Sequence, residues 1–216
     1  GIVAGGAKNN FAHLLRHSRG EYIMFCDQDD IWLPSKIELT LSAMIGTERE
    51  MGKNAPVVVF SDVKVVDSNL ALIAESGWHY QRNGPQFCKE LGLLAVRNCI
   101  TGCTMMINRA ALAISSPLPR EAIMHDWWIG LSVLKNGGCL IPLDAKTILY
   151  RQHDGNVIGV AKYNSNYFIR RTLGFTQTIQ ELFDVYLMAK RVGAVKSWID
   201  FIKFKISAFS QVIAKK

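Results

Sequence analysis

Long apolar runs are missing from this 216-residue chain, and without a run of about 18 apolar residues a membrane-spanning helix has no support. CxxC pairs are also missing. The five cysteines (Cys26, Cys88, Cys99, Cys103 and Cys139) are odd in number, which suits buried thiols in a reducing compartment better than a disulfide framework. The opening Gly1-Ile2-Val3 lacks an initiator Met and the basic, apolar and small-residue succession of a signal peptide. A cytoplasmic location is therefore expected, and the chain reads as a fragment. Low-complexity tracts and internal repeats are absent. With 49% hydrophobic and 20% charged residues, the composition excludes disorder and indicates one sizeable core. Acidic residues are scarce at one end only. Residues 161–216 carry ten Lys/Arg against three Asp/Glu, whereas residues 1–160 carry fifteen of each, so the whole net charge of +7 sits in the tail. Such a tail suits an anionic surface such as phospholipid, or is simply a solvated helix face. No nucleic-acid recognition motif accompanies it, so no nucleic-acid partner is expected.

What is present alternates between strand and helix signals. Asn9 or Asn10 is suited to capping a short helix with Phe11, Leu14 and Leu15 on one face and Gly20 at its stop. Glu21–Cys26 reads as a buried strand that ends at the acidic run Asp27-Gln28-Asp29-Asp30. Pro34 opens a helix presenting Ile37, Leu41, Met44 and Ile45 at helical spacing. Pro56–Phe60 and Gly102–Ile107 read as further strands, and a helix is expected from about Ala122 to Lys135, stopped by Gly137-Gly138. Strands near Cys139–Pro142 and Ala145–Arg151 follow, then long helical patterns over Asn166–Lys190 and Val195–Ile213. This pattern predicts an α/β layer structure with ligands beyond the C-terminal strand ends.

Asp27 and Asp29 are two apart at a strand end, where extended backbone points alternate side chains the same way. Two hard oxygen donors there suit Mg2+ or Mn2+, which keep positions for water and substrate phosphate. The competing reading is an acidic turn whose Asp30 caps the next helix.

Four segments carry a resemblance. Tyr22-Ile-Met-Phe-Cys-Asp-Gln-Asp-Asp-Ile-Trp-Leu-Pro34, Thr101-Gly-Cys-Thr-Met-Met-Ile-Asn108, His125-Asp-Trp-Trp128 and Leu149-Tyr-Arg-Gln-His153, in this order, resemble family 2 glycosyltransferases, especially bacterial rhamnosyltransferase-like members. Together they span most of residues 9–156. The resemblance implies an α/β fold: a partial GT-A, Rossmann-like mixed sheet flanked by helices over residues 1–160, with a helical, basic C-terminal subdomain over 161–216. It implies sugar transfer with inversion from a nucleoside diphosphate sugar, in surface polysaccharide assembly. The donor is dTDP-rhamnose by this likeness, or a UDP-hexose as alternative, and the acceptor a glycan or a lipid-linked glycan. Asp126 then matches the catalytic base, and Asp27, Asp29 and Arg151 the donor-diphosphate site. Gly102, His125, Trp127 and Trp128 line the acceptor side, and His153 joins Asp27 and Asp29 as a candidate ligand of Mg2+ or Mn2+. His125 reads equally as a helix-start residue, and one of the two adjacent indoles is expected in the core. The chain departs from the pattern at its front, where similar enzymes have two strand-helix units that form a nucleotide-binding half. Negligible transfer by the 216-residue chain alone is expected on that ground, and a non-catalytic, acceptor-binding fragment is the reading from a different class.

In the tail, Trp198, Phe201, Ile202, Phe209, Val212 and Ile213 recur near helical spacing among Lys196, Lys203, Lys205, Lys215 and Lys216. A helix of this kind over 195–216 either lies on a membrane at the cytoplasmic face or docks on the catalytic domain.

Overall fold

The structure, a computed structural model, describes residues 6–152 and 175–214. Its centre is the strand expected around Pro56–Phe60, which runs further than the apolar run suggests, as Val57–Val66 (β3). Nine of its ten residues are buried, so it needs apolar cover on both faces and a partner for each buried polar group. Ser61 meets Thr147 at 2.6 Å, and Asp62 accepts hydrogen bonds from the Ser76 hydroxyl and from the backbone N–H groups of Val63 and Trp78.

Around it stand Tyr22–Met24 (β1), Ile31–Trp32 (β2), Leu72–Ala74 (β4), Met106–Asn108 (β5) and Cys139–Arg151 (β6). The sheet order is β1-β5-β3-β6-β2, with β4 on the end of β3; β3 and β6 are parallel and the other pairs antiparallel. This is the mixed sheet expected from the sequence, flanked by helices. The two strands read between Cys139 and Arg151 are one strand, because the interruption near Asp144 is absorbed as a register shift against Ser61 and Asp62. The segment read as one strand from Gly102 begins instead with a 3-10 turn, Gly102–Thr104, held by the Thr104 amide and hydroxyl on the Thr101 carbonyl. β1 lies at a sheet edge, paired with β5 alone among the described strands.

The longer helices are Gly6–His17 (α1), Lys36–Met51 (α2) and His125–Lys135 (α6). The first places Asn9 and Asn10 in its interior rather than at a cap, and α2 starts after Ser35, so Asp30 does not cap it. Three short helices, Gly77–Gln81 (α3), Leu91–Val96 (α4) and Arg109–Ser115 (α5), lie between them in sequence. Asn108 caps α5 through the Ala111 amide and also accepts from Val57 N, which ties the end of β5 to the start of β3.

Phe175–Arg191 (α7) and Trp198–Ile213 (α8) follow, the latter opened by a capping box of Ser197 and Asp200. They do not form a separate core. Met188, Ala189, Val192, Phe201, Ala208 and Val212 belong to the same buried cluster as Val58, Phe60, Leu94 and Ile129. Lys205 also serves this docking, its ammonium donating to the Val96 carbonyl at 2.9 Å and lying over the Phe201 ring.

The parallel pair β3–β6 begins at a close backbone approach. Cys139 N donates to Pro56 O at 2.9 Å, and a Cβ on Gly138 would stand 2.3 Å from that same oxygen and 2.8 Å from Val133 Cγ1. Neither neighbour is a flexible tip. Gly138→Ala is therefore expected to destabilise the fold by about 2–3 kcal/mol, read as a fall in Tm of roughly 5–10 °C in a calorimetric or circular-dichroism melt.

Candidate active site

A cleft of about 370 Å3 opens beyond the ends of the central strands. Its walls bring together residues far apart in sequence: Phe11, the whole run Asp27–Asp30, Gly102, His125, Asp126, Trp127 and Arg151 among them. Of the residues singled out from the sequence, Trp128 is not in this wall; its indole N–H donates to Ser115 O, which fixes it between α5 and α6. Trp127 is also pinned, to Leu94 O at 2.7 Å, and shows its remaining surface to the cleft. His153 lies outside the described residues.

Asp126 sits in the first turn of α6 and is 7% exposed. Its two carboxylate oxygens accept from Gly102 N at 3.0 Å and from Trp127 N at 2.6 Å, and the Asn98 side chain adds a third hydrogen bond. Burial pushes its pKa up to about 6; these donors pull the other way and do not cancel the burial. The group is thus a carboxylate whose proton affinity approaches neutrality, the range in which a general base works well. Position 102 has room for glycine only, as long as the His125 ring stays where it is, since a Cβ there would come within 2.8 Å of His125 Nε2.

His125 is 3% exposed and packs against the rings of Phe11 and Phe25, at centroid distances of 4.2 and 5.1 Å. Neither ring nitrogen has a hydrogen-bond partner, and burial lowers its pKa to about 4. It is a neutral ring that wedges the start of α6 against α1.

The acidic run divides its side chains differently from the sequence expectation. Asp27 and Asp30, with the Cys103 thiol, have ligand atoms within 4.8 Å of one another, whereas Asp29 is outside that cluster and presents its carbonyl to Arg151 Nε at 3.0 Å. The two-residue alternation fails because the strand stops at Met24 and the chain turns at Gln28-Asp29. Burial raises the Asp27 pKa to about 6, with Asp30 and Asp29 adding repulsion. Burial also raises that of Asp30, against hydrogen bonds from the Cys103 thiol and from Arg151 N. One oxygen of Asp30, Oδ2, is buried without a hydrogen-bond partner. Two repelling carboxylates and an unpaired oxygen make a donor set that a divalent ion such as Mg2+ or Mn2+ would fit.

Arg151 braces this turn from β6. Its amide reaches Asp30 Oδ1, Nε the Asp29 carbonyl and Nη1 the Ser68 carbonyl. Lys36 stands behind it, fully buried, its ammonium 4.9 Å from the centre of the Trp32 ring and lowered to about 8 by burial. Lys36 and Asn98 carry no signal in the sequence, whereas Asp30 lies in the acidic run and Cys103 in the Gly102–Thr104 stretch on the acceptor side; nothing local pairs Cys103 with Asp30.

A dTDP-rhamnosyl transferase of Shigella flexneri, RfbG, is 26% identical over 166 residues, which cover 72% of this chain and 52% of that protein. The UDP-Glc:alpha-D-GlcNAc-diphosphoundecaprenol beta-1,3-glucosyltransferase WfgD of Escherichia coli is 28% identical over 135 residues, 62% of this chain and 45% of that protein. The chain thus spans about half the length of the curated relatives it matches. The fold is a partial GT-A, Rossmann-like α/β arrangement. Residues 4–113, half of the chain, match the family model for glycosyl transferase family 2, and the chain belongs to that family.

Proposed function

We propose that this chain carries the acceptor-activating centre and the metal end of a nucleotide-sugar glycosyltransferase that inverts the anomeric carbon. The observation that supports this most is the joining, in one cleft, of a buried carboxylate with pKa near 6 to a cluster able to hold a cation. Direct displacement needs a base on the side of the acceptor, separate from the groups that meet the leaving diphosphate. Asp126 takes the proton of the attacking hydroxyl. Its orientation is held by Gly102 N and Trp127 N, so the carboxylate does not need to reorganise as it gains the proton. The indole of Trp127 offers an apolar wall for a sugar ring, and His125 keeps the start of α6 in place.

Asp27 and Asp30, with Cys103, would hold Mg2+ or Mn2+, and Asp29 lines the same end of the cleft. A bound dication there supplies charge neutralisation for the departing diphosphate. Arg151 holds the turn that carries these carboxylates, a positioning part in addition to the phosphate contact expected of it.

Two donors have support from the relatives' names, a dTDP-rhamnosyl and a UDP-glucosyl one, and dTDP-rhamnose is the reading favoured by the motif likeness. The acceptor is a glycan or a lipid-linked glycan of surface polysaccharide synthesis, handled in the cytoplasm, in keeping with five free thiols. The test is a donor screen on the full-length gene product, because negligible transfer is expected of the 216-residue chain alone, with dTDP-rhamnose, UDP-glucose and UDP-galactose, with Mg2+ or Mn2+, on lipid-linked and free saccharide acceptors. Product bearing an inverted linkage is the expected result; donor hydrolysis or transfer with retention would remove the single-base mechanism.

A further inference from the structure

Helix α8 has two apolar faces, and one of them packs against the body formed by the other described residues. Phe201, Ala208 and Val212 are buried against the body, with Gly92 of α4 so close to the Phe204 ring that a Cβ would overlap it at 2.1 Å. A separate stripe, Ile199, Ile202, Ile206 and Ile213, stays exposed, by 67, 36, 61 and 46%. The spacings of three, four and seven keep these four on one side of the helix. The stripe continues toward α7: the Trp198 ring contacts Tyr186 at 4.9 Å, Tyr186 lies 6.3 Å from Phe183, and Phe183 and Leu187 are exposed. A contiguous exposed apolar patch rimmed by polar residues marks an interaction site.

From this we infer that the outer face of α8 seats the protein on an anionic phospholipid surface, with the helix lying in the interface. Charge selects this occupant. Residues 161–216 hold ten basic residues against three acidic ones, and the single acid of α8, Asp200, is taken up by the capping box. Lys203 is exposed beside the stripe, and Lys196 is exposed just before the helix. A second copy packed on this face would bring like charge against like, whereas anionic headgroups are attracted to it. Trp198, 42% exposed at the first turn, is of the type that settles at headgroup level. No helix among the described residues is long and apolar enough to cross a membrane, so the contact is made by a helix lying along the surface. The inference does not rest on the transfer reaction, since vesicle binding needs no donor.

The experiment is cosedimentation of the 216-residue chain with phosphatidylglycerol-containing vesicles and with pure phosphatidylcholine vesicles, at low and high salt. Binding to the anionic vesicles that weakens with salt is expected. Ile199→Ser with Ile206→Ser should weaken it roughly tenfold or more, and Lys203→Gln severalfold. Leu72→Ser, an equally exposed apolar residue on β4, should leave it unchanged. The altered side chains are solvent-facing, so melting curves should be unaffected and a loss of binding is not a loss of fold. Absence of binding to anionic vesicles overturns the inference, as does binding that the double variant does not alter. Concentration-dependent dimerisation abolished by the same double variant overturns it in favour of a second copy.

Discussion

In the full-length gene product, replacing Asp126 with Asn is expected to lower kcat by about a hundred- to ten-thousand-fold, the range lost with a general base, while donor binding is retained. The variant keeps the shape of the side chain and one of its two acceptor oxygens; the other position becomes an NH2 facing either Gly102 N or Trp127 N. A melt of the variant is therefore a required companion to the rate measurement. The pH profile separates base loss from general damage. In the parent protein kcat/KM should fall as pH drops below about 6, because the proton that Asp126 must accept is then already on it. Asp27 also titrates near 6, but a bound dication lowers the pKa of its ligands. At saturating Mn2+ the remaining acidic limb belongs to Asp126 and should vanish in Asp126→Asn. A full-rate Asp126→Asn enzyme would end the assignment.

Asp30→Ala is expected to weaken Mn2+ binding by about a hundredfold or more, since outer-shell partners of a metal alone are worth about 10- to 100-fold. Titration calorimetry with Mn2+ on the chain, without donor, measures this. Asp27→Ala should match it, and Asp29→Ala should fall short of both, because its carboxylate lies outside the cluster. The reverse order, with Asp29 dominant and Asp30 silent, would restore the alternation read from the strand and displace Cys103 from the site. The same burial has a thermodynamic sign. A carboxylate whose pKa is raised in the folded chain binds more protons there than in the unfolded chain. The contributions of Asp27 and Asp126 to stability therefore decline as pH rises from about 4 to 6, and the ionised apo site is a burden on the fold.

Much of the architecture was legible because it rests on local pattern. The apolar run at Val57–Phe60 and the helix punctuated by Gly137-Gly138 announce themselves within a few residues. β2, two residues long, and α3, α4 and α5, five to seven residues long, are too short for a period to register; tertiary contacts define them. Gly102 leaves the strand because its N–H serves a carboxylate 24 residues away instead of a ladder partner. Gly102 and Asp126 were each found through the motifs that contain them, but the bond between them was not visible in either. Asp30 and Cys103 meet across 73 positions of sequence, so no spacing rule could have joined them. In the tail, the apolar set collected from helical spacing mixed two faces. Phe201 and Val212 dock, while Ile202, Phe209 and Ile213 point outward, and only a neighbour in space distinguishes them.

The bonds from Arg151 to the acidic turn bridge 121 and 122 residues of chain, and its bond to Ser68 bridges 83. Such contacts close late, because long loops must be ordered before they form. During synthesis the Asp27–Asp30 turn emerges well before the strand that will hold it, so its carboxylates reach their final spacing only when β6 is in register. An ion that needs that spacing binds the finished sheet and not its precursors. By mass action it then stabilises the native state in proportion to its concentration over its dissociation constant. A cation held at this site would thereby also report completed folding: protein that bound it tightly would be protein whose strand β6 is in place.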